Sequence, residues 1–142
     1  MDAIAGLDEE GFRMRPRPDD WTAAEVLAHV LITEHLFVDR ARAALAQDNV
    51  SVAPMDDEER QEQARSAQRM PVPQIVHGLL AQRRDTVRLL EPLSPQQLSR
   101  PFRHERRGQL TASWLFQHVA EHEEEHAQQI SALRAQATAR QA

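Results

Sequence analysis

Leu115-Phe116-Gln117-His118-Val119-Ala120-Glu121-His122-Glu123-Glu124-Glu125-His126-Ala127-Gln128-Gln129-Ile130 is the stretch whose reading decides the fold. At roughly 100° per residue, Leu115, Val119, Ile130 and Leu133 gather on one side of a helix. On the same projection His126 lies about 20° and His122 about 60° from the centre of that stripe, so both imidazoles belong to its buried half. His118, about 100° from the centre, stands at the edge. Thr111 is placed to cap this last helix, and the Ala/Gln tail from Ala135 to Ala142 reads as a fraying end.

Working outward, prolines mark the breaks: Pro16 and Pro18, Pro54, Pro71 and Pro73, Pro92 and Pro95, Pro101. Thr22-Ala23-Ala24-Glu25 is a capping box, in which each side chain satisfies a backbone N–H of the first turn, and it opens a long helix from Thr22 to about Gln47. Asp56 to Arg69 repeats the cap pattern with almost no large apolar residue, which predicts a helix that covers the core rather than builds it. Pro73 suits the first turn of a third helix, and Ile75, Val76, Leu79, Leu80, Val87 and Leu90 then recur at helical spacing up to about Glu91. Ser94-Pro95-Gln96-Gln97 opens a short turn, and Arg103 to Gly108 reads as a basic loop. Four helices with short connections predict an all-α fold, an antiparallel four-helix bundle in one domain over 1–142 with its core at about 21–135.

Composition agrees with helix and excludes several functions. The chain has 142 residues, 41% of them apolar and 27% charged, enough for one core and too few for two. Only four Gly and no Tyr stand against many Ala, Leu, Gln, Glu and Arg, side chains that lose little rotamer freedom on a helix. A formal charge of −5, with no basic amphipathic face, argues against nucleic acid as a partner. The absence of cysteine removes disulfides, thiolate catalysis and iron–sulfur clusters together, and leaves nitrogen and oxygen as the only metal donors. Met1 to Gly11 carries four acidic residues and no basic one, and no segment has the ~18 consecutive apolar residues that span a bilayer. The expectation is a cytoplasmic protein with no membrane association.

Among the seven histidines, His29 projects beside Val26, Val30, Thr33 and Phe37 and so points inward as His122 and His126 do. His35 projects to the opposite side near Asp39; it, His77 and His104 read as surface residues. Two imidazoles at i and i+4 with a third from a facing helix can hold one ion and leave positions open for water or substrate. Histidines at a bundle mouth can instead find carbonyls or carboxylates. Three inward rings favour the metal, because an imidazole buried without a partner costs about 1–3 kcal/mol.

His122-Glu123-Glu124-Glu125-His126 also fits the His-Glu-x-x-His pattern of zinc proteases, yet none of the residues 127–142 is His, Asp or Glu to supply a downstream ligand. The third ligand has to come from upstream, as His29 would. Glu124 suits a solvated face. Glu123 projects about 40° from the apolar centre, and Arg83 falls within the stripe of the third helix, so the two form a buried ion pair or line a polar pocket beside the metal.

Two blocks carry a family resemblance: Trp21-Thr22-Ala23-Ala24-Glu25-Val26-Leu27-Ala28-His29, and the Leu115 to Ile130 stretch that closes with His122-x-x-x-His126. With the spacing between them they resemble the DinB-like family of metal-binding four-helix bundles over roughly Trp21 to Leu133. The resemblance implies a divalent metal, zinc or nickel, on His29, His122 and His126, and commonly a homodimer formed through helix faces. Characterised relatives include transferases that use low-molecular-weight thiols such as bacillithiol and isomerases that use mycothiol. Where the thiol-transferase-like members tend to read His-Arg-Gly-Gln after the last ligand, this chain has His126-Ala127-Gln128-Gln129.

The function expected from residues and resemblance together is a metal-dependent enzyme, transferase-like or hydrolase-like, that activates a small thiol or water against a small electrophile. Glu123 is the candidate catalytic base, and Glu25, one turn before His29, could orient that ring. The alternative is a non-catalytic or stress-associated bundle in which the ion is structural, or in which the site is vestigial.

Overall fold

The computed structural model describes every residue except Met1 and Gln68. A 3₁₀ turn (Asp2–Ile4) and the short helix α1 (Glu9–Arg13) precede the long α2 (Ala23–Ala46). Strand β1 (Ser51–Val52), α3 (Asp57–Ala67), α4 (Val72–Leu90) and the single turn α5 (Pro95–Leu98) follow. The chain closes with strands β2 (Pro101–His104) and β3 (Gly108–Thr111) and with α6 (Ala112–Gln141). No described helix is long and apolar enough to cross a membrane.

The helix starts are where capping chemistry puts them. Thr22 accepts from the Glu25 N–H while Glu25 accepts from the Thr22 N–H, and Thr111 accepts from the Trp114 N–H. Two backbone donors at the start of α2 and one at the start of α6 are thereby satisfied, worth about 1 kcal/mol per cap. α6 holds its helical form through Gln141, and in the tail expected to fray Ala137 is buried while its neighbours are exposed. The core likewise reaches back to Phe12, before the span expected for it.

α2 is the central element, packed against α6, α4 and α3. Its early residues Ala24 and Ala28 share an apolar cluster with Ile130 and Leu133, while its late residues Ala41 and Ala44 share another with Leu115. α2 and α6 therefore run in opposite directions. The first cluster, with Phe12, Leu27, Val72 and Ile75, fills one end of the bundle; the second, with the fully buried Phe102, fills the other. The inward histidines occupy the layer between them. On α4, Leu80 and Val87 are exposed rather than inward, because that helix is covered chiefly by α2 alone and only a narrow stripe, Val72, Ile75 and Thr86, is sealed.

The basic loop expected at Arg103 to Gly108 is instead a hairpin in a three-stranded sheet of order β1-β2-β3. β2 pairs antiparallel with β3, Phe102 against Leu110 and His104 against Gly108, and Gly108 takes φ 77°, a conformation that costs glycine no steric strain. β1 adds in parallel, Ser51 opposite Arg103 and Val52 opposite His104. Side chains alternate across β2, so Phe102 and His104 turn inward while Arg103 is exposed. His104, expected on the surface, is 8% exposed. The sheet holds it there.

Candidate metal centre

His29, His122 and His126 converge. The Nε2 atoms of His29 and His122 lie 3.0 Å apart, as do those of His122 and His126. One donor nitrogen from each ring falls within 4.8 Å of the others, and this is the group of potential metal-ligating side chains found among the described residues. The rings meet at centroid distances of 4.9, 4.9 and 4.3 Å, tilted or edge-on to one another. The i, i+4 spacing stacks His122 over His126 on α6, and the antiparallel α2 brings His29 to the same level.

The donor set suits a cation. Burial pushes the pKa of His29 and of His122 down to about 4, with repulsion from the neighbouring histidines adding to it, so both rings are neutral at pH 7. His126 Nδ1 lies 2.8 Å from the Gln129 amide oxygen; donating there, it keeps its proton on Nδ1 and presents a lone pair at Nε2. Nitrogen donors crowded onto one point, with a hydrogen-bonded outer atom on one ring, match the chemistry of a divalent-metal site. The edge of Trp21 covers His29 at a centroid distance of 5.1 Å.

His118 sits at the flank, as the projection implied: half-buried, stacked on Trp114 at 4.6 Å and edge-on to Phe37 at 5.0 Å. His29, His122 and His118 together line a cavity of about 430 Å³, into which Trp21, Trp114 and His104 also face. His126 faces the other way, into a smaller cavity of about 200 Å³ with Glu34, Arg83 and Glu123. His35 is exposed and 3.4 Å from Asp39, and His77 is exposed.

The carboxylates are already engaged. Glu123 pairs with Arg83, whose Nε also lies 3.4 Å from Glu34. Arg83 is 47% exposed, so this is a pair at the edge of the bundle rather than a buried one. Glu34, 2% exposed, also accepts from the Thr86 hydroxyl at 2.7 Å. Its signal was present in the sequence: Glu34 continues the i+4 row of Val30 and Val38. Glu25 accepts from both Arg15 terminal nitrogens, at 2.5 and 3.1 Å, besides capping α2.

No curated protein matches the sequence. Among solved structures, YfiT from Bacillus subtilis, described as a probable metal-dependent hydrolase with an unusual four-helix bundle topology, superposes with a TM-score of 0.78 at 19% identity. The match covers 95% of this chain and 77% of that one, and at this identity it shows a shared fold. A sequence profile of the DinB superfamily matches residues 1–130, a span holding both helices that bring the three imidazoles together, and the chain belongs to that superfamily.

Proposed function

We propose that this protein is a metal-dependent enzyme acting on a small molecule, with a divalent cation, zinc or nickel, held by His29, His122 and His126. The observation that carries the reading is the meeting of three imidazole nitrogens within 4.8 Å, two of them, on His29 and His122, in the wall of a cavity of about 430 Å³. A cation held there supplies positive charge that favours the anionic form of a small nucleophile, water or a thiol, near neutral pH. The open cavity beside His29 and His122 favours catalysis over a purely structural ion, which protein atoms would enclose.

The chain's own groups do the rest. Burial keeps His29 and His122 neutral, Gln129 orients His126, and Trp21 shields one side of His29 from water. Glu123, expected as the base, is paired with Arg83 in the smaller cavity beside His126 and does not line the cavity that His29 and His122 share. The likeness to YfiT supports water as nucleophile, and Ala127-Gln128-Gln129 after the last ligand departs from thiol-transferase-like relatives.

Elemental analysis of protein purified without chelator or His tag tests the reading, with the His126→Ala variant beside it. About one equivalent of metal per chain is expected in the wild type and little in the variant, which loses one of three ligands. Equal metal in both would overturn the assignment.

A further inference from the structure

The cavity beside the triad carries a charge opposite to that of the molecule. Formal net charge is −5 over the chain, yet Arg40, Arg60, Arg106 and Arg107 line this one cavity against a single carboxylate, Glu25, which is already bound by Arg15. Two of these guanidiniums lie on aromatic rings: Arg107 sits 5.2 Å from the Trp114 centroid and Arg40 5.7 Å from that of Phe37. Stacking pre-orients a guanidinium while its N–H edge can face a ligand, and Arg40 is further held by donating one N–H to the Ala53 carbonyl.

His104 supplies the second, independent observation. Its Nδ1 accepts from the backbone N–H groups of Arg106 and Arg107 at 3.1 and 3.2 Å, so the ring proton must sit on Nε2. The residue is 8% exposed, faces the cavity, and its Nε2 has no hydrogen-bond partner among the described residues. The β2–β3 hairpin thus holds a fixed N–H donor, open to the cavity, beside the guanidiniums of Arg40, Arg106 and Arg107. The indoles of Trp21 and Trp114 line the same cavity.

We propose that this cavity is the substrate pocket and that it selects a small anion with a flat apolar body. His104 Nε2–H and the guanidiniums of Arg40, Arg106 and Arg107 take the carboxylate or phosphate, and the indoles take the body. The proposal rests on the metal-site reading for its catalytic meaning, whereas anion binding itself does not require the metal.

Both tryptophans of the chain line the cavity, so quenching of intrinsic fluorescence reports on it directly. The full chain is titrated with phenyl phosphate, benzoate and the neutral benzyl alcohol, metal-loaded and as His126→Ala, at low and high salt. Expected are saturable quenching by at least one anion, affinity about tenfold or more above benzyl alcohol, and weakening with salt. Preference for phenyl phosphate or for benzoate identifies the anionic group. Arg106→Ala/Arg107→Ala, at exposed positions that leave the fold intact, loses about tenfold in anion affinity and none for benzyl alcohol. His126→Ala keeps the anion preference, so failure of the metal site and failure of this pocket are separate results. Equal binding of anion and alcohol, or an unaffected double arginine variant, overturns the proposal.

Discussion

Two polar groups are carried into this bundle, and they are satisfied in different ways. Between α2 and α4, Glu34 is sealed from water but meets Thr86 and Arg83, and Arg83 goes on to pair with Glu123. Charge and hydrogen bonds close within the protein. Farther towards the start of α2, His29 meets His122 and His126 with nothing of opposite sign among them, their Nε2 atoms facing one another. The first cluster is complete as it stands. The second has geometry without complementarity, which is the physical mark of a place for something else.

That contrast breaks most sharply at His122, whose Nε2 touches both of the other rings. His122→Ala is expected to lose metal by a factor of about 100 or more while the metal-free protein keeps its helical circular dichroism. Next in size is Gln129→Leu, which removes the acceptor that orients His126; metal affinity should fall about tenfold with thermal stability of the apoprotein unchanged. Arg83→Ala attacks the other cluster. It should cost about 1–2 kcal/mol in urea unfolding, because Glu34 is left with Thr86 alone, and should leave metal content at its wild-type value. If Arg83→Ala released the metal, the two clusters would be one unit and the contrast would fail.

A further effect is on pH. His29 and His122 titrate near 4 when folded against about 6.5 when unfolded, so the unfolded chain binds more protons between those values. Apoprotein stability should therefore be full above about pH 6.5 and decline as pH falls towards 4, with a shallower slope in His122→Ala. A flat profile in urea unfolding from pH 7 to 4 would mean that the rings are not desolvated.

Much of this was legible because helices obey one period. Counting at about 100° per residue placed His29, His122 and His126 inward and His118 at the edge, and the capping residues marked where α2 and α6 begin. Glu34 could have been found the same way. His104 could not: its position depends on β2 pairing with β1, about fifty residues earlier, and on a hairpin of four-residue strands dense with charge. Neither pairing leaves a periodic trace in so short a run. Arg83 shows the converse limit, since its place in an apolar stripe implied burial but the helix carrying it is covered on one side only.

Local spacing, then, determined by itself which face each helix buries and which imidazoles that face carries, since both depend on residues within a few turns. Tertiary structure alone decided that the His29 face meets the His122 face at the same level, that Arg83 rather than a ligand holds Glu123, and that a distant hairpin closes over the cavity with His104 and its arginines. Those outcomes depend on contacts between segments far apart in the chain, which no local pattern encodes.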